Sequence, residues 1–177
     1  MVRPVFLIIL ANPPEDNRSH HWAILVPEPG RSDAGKYITI GKSSLHRDGG
    51  FFKIYKHGYD LEAIPKLPTW ETENGSSRFE EESTTSDEPR YEKVLLGMLP
   101  DSAVVDIVLN DQPTGQDEAE DAFVVEAEKV DIPDNVSRGD SLQKASQEWV
   151  AAYIQQLIAV GVLEQGAYTV VENRRGR

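Results

Sequence analysis

Short apolar runs separated by turn residues fill much of this sequence, and one long amphipathic stretch lies near its end. Residues 2–10 and 21–26 are continuous runs rich in isoleucine, valine and leucine, which is typical of strands buried on both faces. Within residues 36–41, Tyr37 and Thr39 alternate with Ile38 and Ile40. The Asp-Gly-Gly at 48–50 then turns the chain into residues 51–55. This order predicts a hairpin or meander of antiparallel strands.

Three more short elements are predicted at residues 91–99, 103–109 and 123–130, and the valines of the second favour a strand. Residues 168–171 are expected to add a last edge strand.

The amphipathic stretch predicts one long helix that begins near Asp140. Its apolar side chains recur at spacings of three and four along one face. They are Leu142, Ala145, Trp149, Tyr153, Leu157 and Val160. Asp140 and Gln143 resemble a capping box, and Gly161 is a suitable C-terminal stop. Strands followed by a helix predict an α+β fold, an antiparallel sheet of five to seven strands with one long C-terminal helix packed on it through Trp149, Tyr153 and Leu157.

The length of 177 residues predicts a single domain over residues 1–177. The net charge of -12 is concentrated in two segments, residues 71–90 and 110–121, which are predicted to be mobile acidic loops. The remaining sequence is close to neutral. A basic cluster is present only at the arginine-rich end, 174–177, so nucleic acid is not an expected partner.

No targeting or membrane segment is predicted. The apolar run at 5–10 is shorter than the core of a signal peptide and is stopped by Asn12, Pro13 and Pro14. The absence of cysteine fits the cytoplasm and excludes thiol catalysis. We therefore expect a cytoplasmic protein with no membrane partner.

The histidines do not form a metal signature. His20 and His21 are adjacent, and His46 and His57 lie far from them in strand or loop sequence, whereas helical zinc sites place two ligands about four residues apart. No glycine-rich phosphate loop precedes a helix either. The sequence therefore predicts neither metal nor cofactor.

Two segments carry a resemblance to a known family. "SHHWAILVP" contains His21, and "SLQKASQEWV" opens the predicted helix. They resemble a family of small, largely uncharacterised proteins found mainly in fungi, with a His-Trp-Ala strand and a late Asn-Cys-Gln-x-Trp helix. That family is distantly similar to the NlpC/P60 and papain-like thiol hydrolases in a permuted order. The resemblance implies that a histidine on a strand activates a cysteine at the start of a helix. It extends over the two ends and the "GKSSLHRDGGF" hairpin.

This sequence departs from that family at the nucleophile. Gln147 and Trp149 match the pattern, Ala145 stands where asparagine is usual, and Ser146 stands at the cysteine position. Ser146 is then a working nucleophile, the relic of a lost active site, or an engineered replacement. A serine hydroxyl needs an orienting acid and an oxyanion hole as well as a base.

Three functions remain open from the sequence. The first is a papain-like domain without its thiol that acts as a binding or accessory protein, with a small molecule or peptide in a cleft between the sheet and the C-terminal helix. The second is a serine-dependent acyl-transfer or amide hydrolase with Ser146 as nucleophile and His21 as general base. There Gln147 is a candidate oxyanion donor, and His46, Asp48 or His57 would orient the imidazole. The third is an acidic protein-interaction module.

Each of these side chains also has a purely structural interpretation. His21 is then a strand histidine bonded to a backbone carbonyl, and Gln147 a surface residue. Trp22 and Trp149 are then core anchors, because large aromatic side chains dominate core burial.

Overall fold

The computed structural model describes residues 2–10, 21–42, 51–60, 91–104, 121–133 and 142–175. The strands are β1 (Val2–Leu10), β2 (His21–Pro27), β3 (Ala34–Lys42), β4 (Phe51–Asp60) and β5 (Tyr91–Pro100). A single 3-10 turn, Asp101–Ala103, follows β5. The helices are α1 (Ala122–Glu128), α2 (Leu142–Ala159) and α3 (Gly166–Arg174). The fold is α+β, as predicted.

The five described strands form one sheet in the order β4-β3-β2-β1-β5. Each described pairing is antiparallel, which confirms the predicted direction of the strands. The register of β1 with β5 shifts between Val5 and Phe6, so β5 carries one extra residue there. β2 lies in the middle of the sheet, between β1 and β3.

Both faces of the central strands are buried. Trp22, Ile24 and Val26 belong to the large core on the helix side, whereas Ala23 and Leu25 belong to a smaller apolar cluster. Successive side chains of a strand point to opposite faces, so this smaller cluster lies on the other face of the sheet, which we call the outer face. The prediction from the continuous apolar runs is confirmed for β1 and β2.

Helix α2 covers the helix side of the sheet. It contacts β2 and β3, and Trp149, Tyr153 and Leu157 are fully buried in the large core, as predicted. The helix ends in a Schellman motif at Gly161, whose φ is 74°. The Gly161 N–H donates to the Ile158 carbonyl at 3.0 Å, and the Val162 N–H donates to the Leu157 carbonyl at 2.8 Å. The predicted stop is confirmed, whereas Asp140 of the predicted capping box lies outside the described residues.

Two expectations about the last third of the chain are corrected. The described residues contain three helices in place of the expected single C-terminal helix, and α3 follows the long α2. Residues 168–171, expected to form an edge strand, lie inside α3, which contacts β5 and buries Ala167 and Val171. Residues 123–128 of the element predicted at 123–130 lie in the helix α1.

Several expectations fall outside the described residues. They include the acidic loop at 71–90, most of the one at 110–121, and the predicted strand beyond Val104. Asp121, the last residue of the second loop, is described and is buried, so it is not solvated. Among the described helices, none has the length and apolar character needed to cross a membrane.

Candidate functional site

The structure brings the two predicted site elements together. The first turns of α2 lie against the start of β2, where the backbone N–H of Trp22 donates to Ser146 Oγ at 3.0 Å. Ser146 Oγ in turn donates to the Gln143 carbonyl oxygen at 2.7 Å, and Ser146 is 0% exposed. The hydroxyl therefore joins α2 to the sheet as an acceptor, while its own proton is bonded within the first turn of α2.

His21 bonds to β3 and not to α2. Its Nε2 lies 2.9 Å from Thr39 Oγ1, and Thr39 Oγ1 donates to the Trp22 carbonyl oxygen at 2.8 Å. Because Trp22 points to the helix side, its neighbour His21 points to the outer face. Ser146 thus bonds the N–H of Trp22 from the helix side, whereas His21 is linked through Thr39 to the carbonyl of Trp22 on the outer face. No hydrogen bond in the described residues joins them.

Burial determines the protonation of the imidazole. His21 Nδ1 is enclosed and has no hydrogen-bond partner, and burial lowers the pKa of His21 to about 4. A general base works best when its pKa lies near the operating pH, so this imidazole is neutral at pH 7 but has little drive to take a proton from a hydroxyl.

The other members of the "SQEW" segment have different surroundings. Gln147 is partly exposed on α2 directly after Ser146. Trp149 is fully buried and stacks on Tyr153, with ring centroids 5.2 Å apart and an interplanar angle of 25°. The burial of Trp149, and of Trp22 at 1% exposure, fits their interpretation as core anchors. His46 and Asp48, two of the candidates for orienting the imidazole, lie outside the described residues.

No family model, curated protein or solved structure matches this chain. The relationship to the NlpC/P60 and papain-like hydrolases stays a prediction from the His-Trp-Ala strand and the Gln-x-Trp helix. In the described ranges, no group of three or more histidine, aspartate or glutamate side chains is placed to hold a metal ion.

Sequence reasoning missed Thr39, whose hydroxyl connects His21 to the backbone of Trp22. It also missed an ion pair between Lys36 on β3 and Asp121 at the start of α1. A signal for the lysine was present, since alternation along β3 places Lys36 on the same face as the buried Ile38 and Ile40.

Proposed function

We propose that this chain is a non-catalytic binding or accessory domain, in which the residue at the position of the family's nucleophile serves a structural purpose. The observation that carries the proposal is the bonding of Ser146. Its Oγ is fully buried, accepts from the Trp22 N–H and donates to the Gln143 carbonyl oxygen. A nucleophile must instead present its oxygen to a substrate and its proton to a base.

The position of His21 supports the same proposal. Its Nε2 is bonded to Thr39 at 2.9 Å, and burial holds its pKa at about 4. Both features oppose the serine hydrolase, which needs this imidazole beside the Ser146 hydroxyl.

The proposed ligand is a small molecule or a short peptide that binds where the first turns of α2 meet the sheet. Gln147, on the first turns of α2, is the predicted site residue that is partly exposed there. We place the domain in the cytoplasm on the strength of its sequence, since a chain without cysteine gains nothing from an oxidising compartment.

A fluorophosphonate probe tests the absence of a serine nucleophile. We expect no labelling of the wild type or of Ser146→Ala, measured by intact-protein mass spectrometry at pH 7 to 8.5. Labelling of the wild type that disappears in Ser146→Ala would overturn the proposal in favour of the serine hydrolase.

The variant Ser146→Cys tests whether position 146 is surrounded by groups that activate a nucleophile. We expect Ser146→Cys to react with iodoacetamide more slowly than Ser102→Cys, because Ser146 is buried and Ser102 is exposed. Since the chain has no natural cysteine, each variant carries a single thiol. Faster reaction at position 146 than at position 102 would contradict the proposal.

A further inference from the structure

The pairing of β2 with β3 is incomplete at the start of β2. The register of the two strands begins at Ile24↔Ile38 and continues towards Pro27↔Gly35. Before Ile24, the N–H of Trp22 is bonded by the hydroxyl of Ser146, and the Trp22 carbonyl by the hydroxyl of Thr39. This corner of the sheet is therefore held by two side-chain hydroxyls, one from α2 and one from β3.

The hydrogen bonds of Thr39 determine which ring nitrogen of the neutral His21 carries the proton. The Thr39 hydroxyl has one proton, and the Trp22 carbonyl oxygen at 2.8 Å accepts it, whereas the Ile40 carbonyl oxygen is farther away at 3.4 Å. His21 Nε2 must then be the donor to Thr39 Oγ1. The neutral imidazole consequently carries its proton on Nε2 and a lone pair on the enclosed Nδ1.

A second proton would place an N–H at Nδ1, where no acceptor is present among the described residues. The residue opposite His21 on β1 is Leu10, and its contact on β3 is Thr39. Neither side chain offers a carboxylate to an imidazolium.

On the outer face, the described titratable groups include Tyr37 and Tyr91 of the smaller cluster and Lys93, which lies over the Phe6 ring and pairs with Asp33. The charged groups that the structure describes on β3 and α2 lie on the helix side. On β3 this is Lys36, which alternates with the outer-face Tyr37, and on α2 these are Lys144 and Glu148 of the first turns. His21 points to the outer face, so these groups lie on the opposite side of the sheet from the imidazole. Among the described side chains, none therefore offers the protonated ring an acceptor at Nδ1.

We propose that His21, Thr39, Trp22 and Ser146 form an acid-sensitive latch, in which protonation of His21 expels the imidazole and frees the start of β2 from β3 and α2. His21 is the first residue of β2 and is partly exposed, so its ring reaches solvent by rotation of its own side chain. Thr39 then loses the donor that holds its oxygen in place.

The pH dependence of latch opening follows from the difference between the pKa of His21 in the closed and open forms. A buried pKa of about 4 is lower than the ordinary value of 6.5, so the closed latch is favoured above pH 6.5 and weakens as the pH falls towards 4. With these two values, the opening equilibrium increases roughly 50- to 100-fold between pH 7.5 and 4.5.

Amide hydrogen exchange and NMR titration of the full chain test the latch. The His21 imidazole of the wild type should titrate well below pH 6.5. Protection of the Trp22 amide, corrected for intrinsic exchange, should decrease roughly 50- to 100-fold from pH 7.5 to 4.5. The amide of Leu157, in the interior of α2, is the internal reference and should decrease much less. His21→Gln retains an N–H donor for Thr39 and does not titrate, so its Trp22 protection should be nearly constant over this range.

Three results would overturn the latch. One is a His21 pKa at or above 6.5. Another is a parallel loss of protection at Trp22 and Leu157, since acid would then unfold the whole domain. The third is an equal pH dependence at Trp22 in the wild type and in His21→Gln. The first two measurements use the wild type alone and stand even if the variant fails to fold.

Discussion

Lys36 on β3 and Asp121 at the start of α1 form an ion pair shielded from solvent, with 3% and 1% of their side chains exposed. The second carboxylate oxygen of Asp121 accepts the N–H of Val124 at 2.8 Å and so caps α1. One carboxylate thus both starts the helix and joins it to the sheet. Buried pairs of this kind add little net stability, but removing one partner is costly.

We predict that Lys36→Met lowers the free energy of unfolding by about 3–5 kcal/mol, because the Asp121 carboxylate stays buried without the lysine. Urea denaturation followed by tryptophan fluorescence measures this change. Adding Asp121→Asn should restore part of the loss, since asparagine caps a helix without a charge. A double variant less stable than Lys36→Met would contradict this account.

Ser146→Ala should destabilise the domain by about 1–3 kcal/mol, because the buried Trp22 N–H loses its acceptor. Ser102→Ala is the matched control, since Ser102 is exposed in the 3-10 turn after β5 and its loss should change stability by less than about 0.5 kcal/mol. Thermal and urea unfolding of the two variants give the comparison. Equal stabilities would refute a structural role for the Ser146 hydroxyl.

Gly35→Ala should cost about 2 kcal/mol or more, because a methyl group there would lie 2.2 Å from the Val26 carbonyl oxygen and 2.8 Å from the Glu28 nitrogen. These are backbone atoms of the adjacent chain and have little room to move. Gly166→Ala, at the first residue of α3, meets nothing within 4 Å and should be neutral or slightly stabilising. Chemical denaturation of both variants checks the difference, and similar losses would show that close approach at Gly35 is not the cause.

Gly161→Ala should cost about 1 kcal/mol through backbone strain alone, since φ at this position is 74° and no atom lies within 4 Å of the added carbon. Gly161→Asn should cost less, because asparagine tolerates the left-handed region. The order glycine, asparagine, alanine in decreasing melting temperature is the expected outcome. An alanine variant as stable as the wild type would contradict the strain argument.

The sequence was sufficient for the elements whose pattern is long and local. The apolar runs of β1 and β2 and the stripe through Trp149, Tyr153 and Leu157 predicted both strands and the long helix. It was insufficient for α3, because Tyr168, Thr169, Val170 and Val171 favour strands by their intrinsic propensity. There, packing of α3 against β5 overrides that preference.

The candidate site shows a different limit. The sequence predicted that β2 would meet the start of α2, and Trp22 and Ser146 do meet. It did not predict on which face of the sheet His21 lies, because a strand buried on both faces shows no alternation of apolar and polar residues. The Lys36 and Asp121 pair spans 85 positions of the chain, so no local pattern connects the two residues.

The extra residue of β5 resets which side chains of that strand reach the core. Leu96 and Leu99 both lie in the large core although they are three residues apart, while Leu95 and Met98 are exposed. Without the extra residue, strict alternation along the same sequence would place Leu96 and Leu99 on opposite faces of the sheet. The irregularity in the β1–β5 register is thus what allows two leucines three positions apart to cover the same core.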